Sequence, residues 1–262
     1  MEDFIDLNRW PIHELLSDDC QSIIRSCKAE LAKNGMFNLP GFVRPEALDR
    51  IITELAPKLE SESFNHARQH NIYFEKEIKD LPDDHGALAQ FTTSNDTICA
   101  DQFLGNELLD FYEYPPLVDF LAAVMEKPAL YTMPDPLARV NVMSYGEGQA
   151  LNWHFDRSEF TTTLLLQAPA QGGDFQYCSD LRSEENPNYD GVARLLAGER
   201  DDVITLPVSA GTLNVFRGKN TAHRVTPVKG DTKRIISVLS YYETPGKMFT
   251  DEERIGFFGR AS

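Results

Sequence analysis

Near residue 135 the spacing of the apolar residues changes from a helical period to a strand period, and a chain divided in this way must lay helices against a sheet. Residues 17–34 begin with Ser17-Asp18-Asp19, a helix cap, and carry Ile23, Ile24, Cys27 and Leu31 at helical spacing up to Asn34-Gly35. Phe37 to Val43 reads as a short strand and turn. Pro45-Glu46 opens a second helix with Leu48, Ile51, Ile52 and Leu55 on one face. Residues 107–127 return to helical spacing, and Pro115-Pro116 breaks them into two pieces. The polar stretch between, 61–106, contains Pro82 and Gly86. It is expected to be loop-rich with short helices, a candidate substrate lid.

After residue 137 short β-type runs follow one another. They are Arg139 to Tyr145, Phe160 to Leu166, Asp174 to Tyr177, Val203 to Leu206, Thr212 to Phe216, His223 to Thr226 and Arg234 to Tyr242. Residues 188–200 read as a helix inserted among them. Many short strands joined by turns indicate a sandwich, a jelly roll or a barrel. Thr161 to Thr163 read as strand formers.

The net charge of −16 argues against a nucleic-acid partner, because phosphate binding needs clustered Lys and Arg. No run approaches the roughly 18–20 apolar residues of a membrane span, so no membrane association is expected. The acidic start, Met1-Glu2-Asp3, is unlike a signal peptide. Cys20, Cys27, Cys99 and Cys178 form no C-x-x-C pair and are expected to be reduced. A cytoplasmic location is expected.

His154-Phe155-Asp156 is the first part of a chemical constellation. Residues two apart in a strand point to one side, so an imidazole and a carboxylate at this spacing can grip one metal ion, with Trp153 turned the other way into the core. Alone, such a tripeptide is weak evidence. His223 follows 69 positions after His154, and two histidines with one carboxylate make the facial triad of non-haem iron(II) enzymes. Arg234 heads an otherwise apolar strand 11 positions later, where a fixed cation can clamp the far carboxylate of a dicarboxylate co-substrate. His13, His66, His70 and His85 are read as solvated or loop histidines.

With these pieces in place the chain resembles the Fe(II)/2-oxoglutarate-dependent dioxygenase superfamily. The matching motifs are Asn141-x-x-x-Tyr145-x-x-Gly148, Leu151-Asn-Trp-His154-Phe-Asp156, Gly172-Gly173-Asp-Phe175, Gly211-Thr-Leu-x-x-Phe216 and His223-Arg-Val-x-Pro-Val228, followed by Arg234. Within it, the chain is most similar to the radical halogenases of free amino acids and their hydroxylase relatives, through Asn152-Trp-His-Phe-Asp156, Leu164-Leu-Leu-Gln167 and the Phe257-Phe258-Gly259-Arg260 tail. The resemblance implies a mainly β fold with α, a double-stranded β-helix (jelly-roll, cupin-like) core flanked by N-terminal helices. The expected organisation is one domain over 1–262, with a helical flank and candidate lid at 1–136, the core at 137–245 and a C-terminal tail at 246–262.

It further implies Fe(II) held by His154, Asp156 and His223, with O₂ and 2-oxoglutarate as co-substrates and the latter paired with Arg234. Tyr145 and Asn141 are candidates to hydrogen-bond 2-oxoglutarate. Arg139, Asn95, Phe257 and Phe258 are candidate contacts to a small-molecule substrate, a free amino acid or derivative; Asn71 and Asp101 lie in the same polar stretch as Asn95. The halogenases have glycine where this chain has Asp156. A carboxylate fills the place a halide would take, so the expected reaction is hydroxylation of an unactivated C–H bond. Two alternatives stand beside it: a desaturase or ring-forming oxidase on the same iron, and a non-catalytic jelly-roll protein that binds a metabolite.

Overall fold

The computed structural model describes residues 1–75, 77–79 and 81–262. Helix α1 (Asp18–Asn34) is capped by the Ser17 side chain, which accepts from the Cys20 amide, and ends at Gly35 in the left-handed region. Strand β1 (Met36–Leu39) follows, then α2 (Pro45–Ser61), which starts on the proline that the sequence marks. Next come β2 (Phe64–His70) and β3 (Phe91–Cys99). Helices α3 (Glu107–Tyr112) and α4 (Pro115–Val124) part at the expected Pro-Pro step. The β-rich part then runs β4 (Tyr131–Thr132), β5 (Val140–Tyr145), β6 (Leu151–His154), β7 (Thr161–Gln167), β8 (Gln171–Gly172) and β9 (Phe175–Cys178). Helix α5 (Tyr189–Leu196) interrupts it, and β10 (Ile204–Leu206), β11 (Leu213–Phe216), β12 (Ala222–Val225), β13 (Val228–Lys229), β14 (Arg234–Leu239) and β15 (Tyr241–Tyr242) complete it. Helix α6 (Asp251–Phe258) closes the chain.

Two antiparallel sheets make the double-stranded β-helix. The larger has the order β1-β11-β7-β14-β5-β3-β2 and the smaller β10-β9-β12-β6. Alternation decides which residues meet the helices. Val142 on β5, Leu164 and Leu166 on β7, Val215 on β11 and Ile235 on β14 join one apolar cluster with Ile24 and Leu31 of α1, Leu55 of α2 and Phe120 of α4. The opposite face of the large sheet carries Asn141, Tyr145, Thr161, Thr163, Asn214 and Arg234, and these residues look toward the small sheet.

The stretch 61–106 departs from the loop-rich lid expected of it. It contributes β2 and β3, which pair in register from Phe64↔Thr97 to His70↔Phe91 and extend the large sheet at its edge. The sheet therefore reaches into the part expected to be only helical flank. The run Phe91-Thr-Thr-Ser-Asn-Asp-Thr-Ile-Cys99 is rich in β-branched residues, but both of its faces are largely polar, so it lacks the apolar alternation that marks a strand. Residues 188–200 do form a helix, cut short at Leu196 ahead of the left-handed Gly198.

The tail is also helical. Thr250 and Glu253 form a reciprocal capping box at the start of α6, and Gly259 ends it. Asp135 fastens this segment to the core. Its fully buried carboxylate accepts from the amides of Leu137, Ala138 and Phe249 and from Nε and Nη2 of Arg254. Burial alone would raise this carboxyl, but those donors outweigh it and hold the group below its ordinary value. Its stabilising contribution is therefore complete above about pH 4 and is lost as the pH falls through the depressed folded value. Asp135→Ala should destabilise the fold by roughly 3 kcal/mol, because Arg254 loses its buried carboxylate and keeps only the exposed Asp251 and the Ala261 carbonyl. Urea unfolding measures that loss, and hydrogen exchange should show residues 249–258 opening first.

Candidate metal centre and co-substrate site

The ligand histidines come from adjacent strands of the small sheet. Strand β12 pairs with β6 so that His223 lies directly opposite His154, and their ring centroids are 4.0 Å apart. Each Nδ1 is bonded to a backbone carbonyl two residues earlier, Asn152 O at 2.8 Å and Thr221 O at 2.9 Å. A carbonyl can only accept, so both rings carry the proton on Nδ1 and turn a bare Nε2 inward. Asp156 lies two residues beyond the end of β6. Its strand-like alternation persists past the ladder: Trp153 and Phe155 turn into one apolar cluster, and His154 and Asp156 turn the other way.

The carboxylate oxygens of Asp156 lie 3.4 Å from His154 Nε2 and 3.5 Å from His223 Nε2. The three donor atoms all fall within 4.8 Å of one another. Burial would raise the Asp156 carboxyl, but the adjacent His223 and His154 hold it well below the usual carboxylate range. Burial, and then the neighbouring His223, push His154 down, which keeps it neutral. Two imidazoles and one carboxylate, with no thiolate in the group, suit iron(II).

Arg234 is 3% exposed at the head of β14 and stands in register with Tyr145 on β5. Its Nε donates to Gly173 O at 3.1 Å, and the guanidinium lies 5.9 Å from the Tyr145 ring centroid. Gly173 has φ +62°, and a Cβ there would stand 2.8 Å from Pro169 Cγ and 3.2 Å from Arg234 Cδ, so only glycine brings this carbonyl so close. Arg234 Nη1 is buried with no hydrogen-bond partner among the described residues. A buried cation left incomplete costs several kcal/mol, so the site is made for an anion. Tyr145, lifted to about 12 by burial and moderated by Arg234, keeps its phenolic proton.

The other sequence candidates fall as follows. Asn141 points along the same face of β5 and donates to Leu137 O. Arg139 Nη1 is paired at 2.9 Å with Glu113, the residue that caps the end of α3. Asn95 is buried on β3 and accepts from Thr97. Phe258 is buried among Cys99, Met133 and Leu137, and Phe257 lies 5.9 Å from the guanidinium of Arg157, the residue after Asp156. Asp101 is bound bidentately by Arg260. Asn71 caps the turn that follows β2, accepting from the Tyr73 and Glu75 amides.

Sequence reasoning missed the residues around that turn. His70, read as a loop histidine, is buried and bonded at both ring nitrogens, to Asn71 O and Thr93 Oγ1. Phe74 adopts φ +58°, a strained conformation for an aromatic residue. It stacks on His70 at 4.3 Å and presents its edge to His154 at 6.0 Å. The Arg68 guanidinium lies over the Phe74 ring, 4.3 Å from its centroid, and its Nε is buried without a hydrogen-bond partner among the described residues. The usable signal was the pair Arg68 and His70 at strand spacing in a segment otherwise dismissed as loop.

A family model described as HalD, Halogenase D, matches residues 20–248. No curated protein sequence matches the chain. Among solved structures it is similar to the non-heme alpha ketoglutarate dependent epimerase SnoN from nogalamycin biosynthesis, with TM-score 0.58 and 14% identity over 85% of this chain and 83% of that one. SnoN is also known in complex with Fe³⁺, alpha ketoglutarate and nogalamycin RO (TM-score 0.56, 15% identity, 84% of each chain). A 2OG-Fe(II) oxygenase family oxidoreductase from Burkholderia pseudomallei gives TM-score 0.53 at 16% identity, over 85% of this chain and 92% of that one. At such identities the likeness is one of fold.

The donor set and the incomplete arginine both fit iron(II) and 2-oxoglutarate. His223→Ala removes one of three protein ligands and should abolish measurable Mn(II) or Fe(II) binding by titration calorimetry. A variant that still bound one metal ion at wild-type affinity would refute the ligand assignment.

Proposed function

The chain belongs to the Halogenase D family, and on that premise we propose that it is a hydroxylase of an unactivated C–H bond in a small molecule, a free amino acid or derivative. One observation carries the choice of hydroxylation over halogenation: the Asp156 carboxylate stands within 3.4 and 3.5 Å of the two ligand nitrogens. A third protein ligand occupies the position a halide would need, and its charge repels one. Bound iron(II), with 2-oxoglutarate and O₂, would supply the oxidising power; 2-oxoglutarate loses its C1 carboxylate as CO₂, one oxygen atom of O₂ enters the succinate formed, and the other becomes the product hydroxyl.

The protein's part is binding, orientation and exclusion of water. Arg234 receives the far carboxylate of 2-oxoglutarate through Nη1, with Tyr145 and Asn141 beside it on the adjacent strand. The Phe175 and Phe216 rings stand 5.7 and 4.7 Å from His223 and keep that side of the centre dry. Arg68 supports a substrate bearing a carboxylate. Its guanidinium lacks a partner at Nε and is set two aromatic contacts away from His154. Asn95, on the neighbouring strand, and Phe257, beside Arg157, would wall the substrate, with Phe258 anchoring Phe257 to the core.

The substrate reading is tested by screening free amino acids and small metabolites for stimulated succinate release, then weighing products formed with chloride present. One added oxygen is the expected outcome. A chlorinated product from the wild-type protein would overturn the role of Asp156. Loss of two hydrogens would mark a desaturase or ring-forming oxidase, and absence of succinate formation under all conditions a metabolite-binding protein. Arg234→Leu should weaken 2-oxoglutarate binding by about 1.5–3 kcal/mol, roughly ten- to hundredfold, and leave Mn(II) affinity nearly unchanged. An unaltered 2-oxoglutarate affinity would mean that another cation is the clamp.

A further inference from the structure

We propose that Thr161 is a positioning residue for the metal-binding carboxylate. The inference rests on His154, Asp156 and His223 being the ligands. Asp156 needs such a partner because it stands past the end of β6, where no ladder holds it. Its backbone is tied at one point, the amide donating to Gly218 O at 2.9 Å. The outer torsion of an aspartate side chain is broad and two-fold, so the carboxylate plane is otherwise free to turn. Thr161 Oγ1 donates to Asp156 Oδ2 at 2.5 Å and removes that freedom.

The surroundings are shaped for this bond. Thr161 is the first residue of β7 and stands in register with Phe216 of β11, whose ring edge meets His223. The hydroxyl therefore comes from the large sheet, opposite the two histidines of the small one. Gly218 lies just past β11 and closes the third side. A Cβ there would fall inside contact distance of Asp156 Oδ2 and 2.7 Å from both Asp156 Cβ and Thr161 Oγ1. The large sheet and the turn between β11 and β12 thus converge on one carboxylate. With one lone pair of Oδ2 committed to Thr161, the group meets a metal in a single orientation.

A plain strand-forming role for Thr161 makes the opposite forecast, and two variants separate the roles. Valine matches threonine in shape and strand preference and lacks the hydroxyl; serine keeps the hydroxyl and is the poorer strand former. The experiment is Mn(II) titration calorimetry on the full metal-free chain, alongside its thermal melting. Thr161→Val should bind Mn(II) ten- to a hundredfold more weakly, the usual loss for a partner of a ligand, with the melting temperature of the metal-free protein unchanged. Thr161→Ser should restore binding to near the wild-type value. If the valine variant does not fold, Thr161→Ala against Thr161→Ser gives the same comparison. Wild-type Mn(II) affinity in the hydroxyl-free variant, or an equal loss in the serine variant, overturns the proposal. Failure of the wild-type protein itself to bind Mn(II) would instead reject the ligand assignment on which it rests.

Discussion

The pairing of β12 with β6 is the constraint on which the site depends. It sets His223 opposite His154, and the register shifts between His223 and Val225, so the alignment is local to the ligands. Strand side chains alternate, so a slip of β12 by one residue would carry His223 to the far face and away from His154. That face is already occupied by Trp153 with the Arg224 guanidinium 4.8 Å from its ring. A slipped register would bring Arg224 inward and drive His223 into the apolar surroundings of Trp153. The register is thus fixed twice over, by what the inner face needs and by what the outer face accepts.

From that alignment the electrostatics follow. His154 is held neutral by burial and by the neighbouring His223, and Asp156 is held ionised by the two histidines beside it. On the facing sheet Arg234 is a deeply buried cation whose Nη1 has no partner among the described residues, and Arg68 at the sheet edge has its Nε in the same condition. On the proposed function a dicarboxylate would satisfy both ends of this arrangement at once, one carboxylate completing Arg234 and the other reaching the metal. The protein has already met the cost of dehydrating the cation, so specificity for a charged ligand of a given length is built before the ligand arrives.

What was legible in the sequence was whatever rests on period and spacing. Alternating apolar residues disclosed β5, β7, β11 and β14, because one face of each is buried under helices. His154-x-Asp156, His223 and Arg234 could be read because rare residue types stood in strand-like runs. The hairpin of β2 and β3 was hidden because its faces are polar: Arg68, Thr93 and Asn95 share one of them, and a strand with such a face shows no apolar stripe. His70 looked like a loop residue for the same cause. Helix α6 did carry its signals, the box of Thr250 with Glu253 and the terminal Gly259, but its period is weak since only Phe258 is buried. The contact of Thr161 with Asp156 spans five residues in sequence, yet it exists only because two sheets face each other. No local pattern could announce it.

On the proposed hydroxylase reading, Asp156 is also the point where the family's name and this chain's chemistry part, and the packing explains why the difference is more than one side chain. A glycine in its place would leave Thr161 Oγ1 without its acceptor and would empty the space that Gly218 keeps clear for a carboxylate. Both neighbours are matched to a negatively charged planar group: a hydroxyl donor on one side, and a backbone that cannot carry a Cβ on the other. A halide is also an anion, so the donor alone does not choose between them. The choice is made by tethering. A carboxylate joined to the chain and fastened at a second point is present at every turnover, whereas a free halide must be drawn into a site that already contains a charge of the same sign. The residues around Asp156 are therefore as much a part of the reaction's selectivity as the ligand itself.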